Sequence, residues 1–265
     1  MQRIILPPGN PPANKIFDLR LPDEQSWKQE LFLRKPFLAD GSEVIMRADS
    51  IQAMLRTIEE ECRFTGGLTG RYTLRQQVFD AMAAVPREEF VPDRFKPYAY
   101  DNNPLPIGNG QTISQPFIVA LMTDLLEPDP DDIILEIGTG SGYQAAILAQ
   151  LVKKVYSLEI IPELAEQAAR RLQKLGYDTV EVLASDGSSG LPEHAPYDGI
   201  IVTAAAPRIP KALVEQMAPF GRLVIPVGRP PLPQDLRLVE KAGNKITSRS
   251  ILSVAFVPFT GQAKA

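Results

Sequence analysis

The chain has 265 residues, 44% hydrophobic and 23% charged, a composition that builds one large core or one domain with an appendage and excludes disordered and fibrous classes. A net charge of −4 and a pI near 5.3 argue against the broad basic face that non-specific nucleic-acid binding needs. One cysteine, Cys62, and one histidine, His194, supply neither an internal disulfide nor a soft-ligand set for zinc, so no metal is expected. The opening MQRIILPPGNPP has too short an apolar run and too many prolines for a secretory signal, and no stretch is long enough to span a bilayer. A cytoplasmic protein with no membrane or nucleic-acid partner is the expectation.

Residues 1–52 read as an N-terminal extension of unknown order, preceding a domain over 53–265. The extension combines a Pro-rich start, a charge-balanced middle around Trp27, and FLRKPFLADGSEVIM, whose alternation predicts a hairpin turning at Asp40-Gly41. Apolar spacing predicts helices over 50–63 and 73–84, with Gly66-Gly67 breaking between them. PREEFVP then gives way to a loop rich in Pro, Gly and Asn. From residue 116 the pattern becomes regular: helix 116–126, strand 133–137, helix 141–152, strand 154–160, helix 162–175, strands 180–184 and 199–204, helix 210–218 and strand 222–227. Pro162 at a first helical position and Gly176 just past the end mark the third of these helices. With extended segments near 235–240 and 246–257, the alternation predicts an α/β fold, a doubly wound, mostly parallel sheet of seven strands.

The stretch LEIGTGSGYQAAILAQ, residues 135–150, places its glycines in a strand-to-helix turn, where backbone approaches a ligand closely and helix N–H groups point at it. A dinucleotide fingerprint puts a third glycine where this chain has the bulky Tyr143, and no Gly-Lys-Ser/Thr follows for a phosphate loop. What remains is E-x-G-x-G-x-G, from Glu136 through Gly138 and Gly140 to Gly142. A second acid, Glu159, ends the next strand, KVYSLEI, where a carboxylate can accept both hydroxyls of a ribose. A ligand with a ribose and no pyrophosphate suits the loop, which resembles the S-adenosyl-L-methionine site of class I, Rossmann-like methyltransferases.

Ligands of such sheets lie beyond the carboxyl ends of the strands. After the third core strand comes SDG, residues 185–187, where Asp186 and its neighbours can meet an adenine edge or simply make a turn. After the fourth comes TAAAP, residues 203–207, with none of the Asp/Asn-Pro-Pro-aromatic pattern that binds amine acceptors. A hydroxyl or amine nucleophile must shed a proton, whereas a carboxylate is already ionised at neutral pH and needs no general base. With His194 in the LPEHAP turn as the only histidine, a carboxylate acceptor fits the residues available.

PLPIGNGQTISQP at 104–116, with AVPREEFVP at 84–92, LEIGTGSGYQ at 135–144 and FVPFTG at 256–261, resembles the protein-L-isoaspartate (D-aspartate) O-methyltransferase family. The likeness runs from about residue 54 to 261, and GQTISQP is its most specific part. The resemblance implies that Ser114 is the active-site residue, with Thr112, Ile113 and Gln115 beside the methyl donor. It implies cofactor roles for Glu136, Gly138, Gly140 and Glu159, and likewise for Asp186 and Gly187, with Thr260 near the same pocket. Ser185 stands where the family has glycine, and residues 1–52 have no counterpart in the resemblance.

Local sequence alone makes Ser114 an N-cap of the helix that follows, and a residue at a helix start can also lie where N–H groups hold a carboxylate. The serine is not a nucleophile; its expected role is to orient the acceptor. The function implied is methylation, from S-adenosyl-L-methionine, of the free carboxylate of L-isoaspartyl and D-aspartyl residues in damaged proteins and peptides by a monomeric enzyme. The ester then leaves as the backbone amide closes to a succinimide, which partly reopens to aspartate. Hydrogen bonds from the 112–115 and 203–207 loops are expected to reject a normal aspartyl peptide. The alternatives are a methyltransferase for a small-molecule acid or hydroxyl, and a non-catalytic S-adenosylmethionine-binding module.

Overall fold

The computed structural model describes residues 4–5 and 42–261. The Asp40-Gly41 turn, Trp27 and most of the extension lie outside the described residues. The second half of the expected hairpin is helical instead: α1 spans Ser42–Thr69 and crosses residue 52 without a break. Met54, Ile58, Cys62, Thr65 and Thr69 are buried along it at helical spacing, which is the stripe that seats it on the core. The helix also runs through Gly66-Gly67. Gly66 serves packing there, since a Cβ would stand 2.4 Å from the Tyr72 ring. Helix α2 (Gln76–Ala84) starts three residues later than expected, because Arg71 and Arg75 turn back to the buried Asp124 carboxylate at 2.9 and 3.2 Å.

The Pro- and Gly-rich loop holds a hairpin that the sequence reading missed, β2 (Leu105–Gly108) and β3 (Gln111–Ile113). Its tip is Asn109-Gly110 with φ of 50° and 70°, the positive pair that a type I′ turn requires. Helix α3 (Pro116–Leu126) has every residue buried and lies inside the molecule. Strand β4 (Ile133–Ile137) leads through the glycine loop to α4 (Tyr143–Ala149), which is shorter at both ends than 141–152 because Gly142, φ 89°, caps its start. There follow β5 (Lys154–Glu159), α5 (Pro162–Lys174), β6 (Val180–Ala184), β7 (Tyr197–Val202), α6 (Lys211–Glu215) and β8 (Met217–Val227). The antiparallel pair β9 (Gln234–Ala242) and β10 (Lys245–Val254) completes the seven expected strands, and the two-residue β1 (Ile4–Ile5) pairs with β10. Strands β7 and β8 begin earlier than expected, and α6 is the shorter for it, because Tyr197 and Met217 are buried partners across an irregular register.

The strand order is β1-β10-β9-β8-β7-β4-β5-β6. The chain winds from β4 outward through β5 and β6, then returns to the other side of β4 with β7 and β8. The order therefore reverses between β4 and β7, and a crevice opens at the carboxyl ends of those strands. Successive residues of β4 face opposite cores: Ile134 packs with Phe117, Leu121 and Ile147, and Leu135 with Tyr197, Ile200 and Leu213. Among the described residues no helix is long and apolar enough to cross a membrane.

Candidate active site

The crevice at the switch point is a cavity whose walls come from four places: β3 and the residues after it, the glycine loop, the ends of β5 and β6, and the segments 203–204 and 257–260. Thr112, Ile113, Ser114, Gly138, Gly140, Glu159, Gly187 and Thr260 all stand on this wall. Gln115, Glu136 and Asp186 stand behind it. Sequence reading did not place Gln111, Tyr143, Ile160 or Val257–Phe259, which also line it.

The glycine loop is shaped by its neighbours. Gly138 has φ 99°, and a Cβ there would lie 2.4 Å from Thr203 Oγ1, because that hydroxyl donates to the Gly138 carbonyl at 2.6 Å. The loop is thus tied directly to the strand across the switch point. Glu159 ends β5 with its carboxylate accepting the Gly140 N–H at 2.8 Å and the Ile161 N–H at 3.0 Å. It is the only charged side chain on the cavity wall among the described residues. Ile160, 36% exposed, leaves an apolar surface open beside it, and Ser185 stands at the rim.

Beneath the loop, Glu136 is fully buried, linked to Ser157 Oγ and through it to Thr139 Oγ1. Burial pushes its carboxyl up to about 8; the nearby Glu159 charge adds to the rise and the Ser157 hydrogen bond opposes it. Asp186 accepts the Ser188 N–H at 2.9 Å and abuts Gly261, where a Cβ would stand 2.4 Å from its Oδ1.

Ser114 follows β3, half-buried. Its hydroxyl has no hydrogen-bond partner among the described residues, so it does not cap α3. Asn102 does that work, its Oδ1 accepting the Phe117 N–H at 3.0 Å. The cap reading of Ser114 fails because the loop 99–103 reaches the helix start first. Arg71 Nε apart, the buried side-chain N and O atoms left without a partner among the described residues are Thr112 Oγ1, Gln115 Oε1, Arg87 Nη1 and Glu136 Oε1. All four belong to the glycine loop, to the segment around Ser114 or to the arginine that grips it. Buried polar groups are seldom left unpaired in this way; of the four, Thr112 lines the cavity and the other three lie behind its wall.

The 203–207 loop differs from expectation. Ala205 donates to Val257 and accepts from Phe259, and Ala206 donates to Pro226 and accepts from Gly228. The Ala205 groups are committed to holding 257–259 against the cavity, and those of Ala206 to the end of β8. Among the described residues the unpaired buried polar groups nearest Ser114 are Thr112 Oγ1 and Gln115 Oε1. His194 is not on the wall; it stacks on Tyr156 with ring centroids 4.1 Å apart.

The chain matches the model of the protein-L-isoaspartate(D-aspartate) O-methyltransferase family over residues 68–264. Protein-L-isoaspartate O-methyltransferase 2 of Nitrosococcus oceani is 58% identical over 214 residues, 80% of this chain and 97% of its own length. Protein-L-isoaspartate O-methyltransferase of Aeropyrum pernix is 50% identical over 80% of each chain. Among solved structures, a protein-L-isoaspartate O-methyltransferase superposes with a TM-score of 0.70 at 26% identity, covering 80% of this chain and 67% of that one. A Plasmodium falciparum chain solved with S-adenosyl-L-homocysteine shares the fold at a TM-score of 0.65 and 22% identity, over 78% of this chain and 97% of its own. The switch-point crevice, the glycine loop and the matched sequence agree, and the chain belongs to the protein-L-isoaspartate (D-aspartate) O-methyltransferase family.

Proposed function

We propose that this protein is an S-adenosyl-L-methionine-dependent O-methyltransferase that esterifies the free carboxylate of L-isoaspartyl and D-aspartyl residues in damaged proteins and peptides. The observation that carries the reading is that, among the described residues, Ser114 presents an unpartnered hydroxyl to a cavity whose single charged wall group is Glu159. The wall fits the donor: an acid at a strand end for two ribose hydroxyls, the open face of Ile160 for a flat base, and glycines that let backbone come close. When bound there, S-adenosyl-L-methionine supplies a methyl group activated on a sulfonium.

Residues of the chain then do three things. Glu159 holds the ribose while Gly140 and Ile161 fix its carboxylate. Ser114, with Thr112, Ile113 and Gln115 around it, orients the acceptor carboxylate toward the methyl. Glu136, Gly138, Gly140, Asp186, Gly187 and Thr260 shape and brace the donor's end of the cavity. Among the described residues the one carboxylate on the wall, Glu159, is engaged by backbone N–H groups, and an ionised acceptor carboxylate requires no base. Catalysis rests on alignment, and holding two reactants in line lowers a barrier by roughly 7 to 11 kcal/mol. Ser114 does not bind the attacking oxygen strongly, since negative charge leaves that oxygen as the bond forms and a strong bond would favour the ground state.

The same proposal assigns 53–265 to the methyltransferase domain and 1–52 to an extension, with α1 passing through the boundary. It places the protein in the cytoplasm as a monomer whose partners are isoaspartyl proteins and peptides, without nucleic acid or membrane. The buried Cys62 thiol, pushed up to about 12 chiefly by burial, is inert and suits a reducing compartment. Transfer of labelled methyl to matched isoaspartyl and aspartyl peptides tests the reading: label on the isoaspartyl peptide alone supports it, and equal labelling of both overturns it.

A further inference from the structure

Arg87, in the PREEFVP segment, is completely buried and has no carboxylate within ion-pair distance among the described residues. Buried charges are ordinarily paired, because removal from water is costly. Here the guanidinium is surrounded by neutral acceptors. Nε donates to the Ala99 carbonyl at 2.7 Å, and Nη2 donates to the Asn103 carbonyl at 3.4 Å and to the Ser114 carbonyl at 2.7 Å. Among the described residues Nη1 meets no acceptor in good hydrogen-bond geometry; its neighbour is the neutral Tyr143, a side chain on the cavity wall, whose hydroxyl interacts with the guanidinium and whose ring centroid lies 4.8 Å from the guanidinium carbon. The titratable groups that face it are Tyr143 and Tyr100, both hydroxyls raised mainly by burial and therefore neutral. The adjacent acid, Glu88, is engaged by Arg47 at 2.7 Å and by the Tyr100 hydroxyl. The charge of Arg87 is thus left uncancelled, one hydrogen bond from the backbone of the residue that orients the acceptor.

Neutral donors would hold the three carbonyls equally well if anchoring were the whole task. In surroundings of low polarity, an uncancelled charge acts over several ångströms on whatever anion occupies the cavity. We propose that Arg87 is a positioning residue for the acceptor, whose buried, unpaired charge beside Ser114 draws an ionised carboxylate into the site and keeps it ionised there. This rests on the carboxylate-methylating reading above. Acting through the Ser114 carbonyl and the Tyr143 face, at one remove from the attacking oxygen, the charge favours acceptor binding without gripping the oxygen that must give up its electrons.

The test compares Arg87→Lys and Arg87→Gln in the full chain. Arg87→Gln should raise KM for an isoaspartyl peptide by about tenfold, the equivalent of one pKa unit, with a much smaller change in kcat. Because the bound acceptor reacts only when ionised, losing the cation should also move the acidic limb of kcat, which reports the complex, to higher pH. Arg87→Lys, which keeps the charge, should restore KM and the limb, and S-adenosylhomocysteine affinity should stay the same in both. If Arg87→Gln instead keeps KM and the acidic limb, or if Lys rescues nothing and only folding stability falls, Arg87 is a neutral strut and the proposal fails. Where the Gln variant does not fold, the native chain decides with S-adenosylhomocysteine bound: the pKa of a 13C-labelled isoaspartyl carboxyl, read by NMR, should drop on binding, and an unchanged value overturns the inference. A native chain that methylates no isoaspartyl peptide overturns the functional reading as well, whereas failure of the Arg87 comparisons in an active enzyme overturns only this proposal.

Discussion

Asn102 caps the helix that Ser114 only precedes: its Oδ1 accepts the Phe117 N–H at 3.0 Å, and the Ser114 hydroxyl is left without a partner among the described residues. Structural and functional roles are therefore separable by mutation. Asn102→Ala should cost about 1 kcal/mol of stability, the usual loss of a cap. Ser114→Ala should leave stability within about 0.5 kcal/mol of the native chain and S-adenosylhomocysteine affinity unchanged. Its turnover on an isoaspartyl peptide should fall roughly tenfold, as for one lost hydrogen bond. Denaturant titration and methyl transfer measured on both variants check the separation; a Ser114→Ala enzyme of full activity would remove Ser114 from the reaction.

Glu159 stands on the cavity wall and receives the Gly140 and Ile161 N–H groups. Glu159→Ala should weaken S-adenosylhomocysteine binding strongly, since each charged hydrogen bond to a ribose hydroxyl is worth roughly 1.5 to 3 kcal/mol. Calorimetric titration measures it, and unchanged affinity would take Glu159 out of the donor site.

An isoaspartyl residue routes its backbone through the side chain, which displaces the neighbouring amides by one methylene. Apolar surfaces discriminate a methylene by only about 1 to 3 kcal/mol, whereas polar groups left unpaired give rejection of about 10⁴ or more. Thr112 Oγ1 and Gln115 Oε1 are buried and unpaired in the segment around Ser114, while the backbone of Ala205 and Ala206 is already committed. Near-total rejection of the matched aspartyl peptide is expected. Thr112→Val and Gln115→Leu should narrow the preference more than any substitution in 204–206. Competition between the two peptides for labelled methyl reads the ratio directly.

The buried Glu136 sets a pH dependence of unusual sign. Its carboxyl is pushed up to about 8 by burial, above the ordinary glutamate value of about 4.3, so between those values the folded chain binds more protons than the unfolded one. Stability from this group is full below the unfolded value and declines as pH rises through the folded one. Glu136→Gln removes the decline. The stability of Glu136→Gln relative to the native chain should rise from pH 5 to about 8 and level off above it, by a few kcal/mol in total. Denaturant unfolding across that range checks the curve, and a flat difference would show that Glu136 titrates normally.

The parallel core was legible because its strands are short, mostly apolar segments alternating with helices and α3 begins with a proline; 116–126, 133–137 and 180–184 match the structure residue for residue. Errors arose where a residue serves a distant partner. Gly66 reads as a breaker, yet its bare Cα admits the Tyr72 ring. Ser114 reads as a cap because local sequence cannot show Asn102 arriving from fifteen residues upstream. The β2–β3 hairpin did carry a signal, the Asn109-Gly110 pair, hidden among prolines and glycines that suggested plain loop. Of the site, the glycine loop and Glu159 follow from local pattern. Arg87 does not, since every acceptor it holds is a backbone carbonyl and no acidic partner betrays it.

The far wall of the cavity comes from 257–260, pinned through Ala205 to a strand on the other side of the glycine loop. During synthesis, at roughly 5 to 20 residues per second, the glycine loop and Glu159 therefore exist well before the wall that faces them. A chain stalled or cut before residue 257 keeps the glycine loop and Glu159 and loses the wall that closes the cavity opposite them. Translation itself thus orders the two halves of the site, and methylation waits for the second.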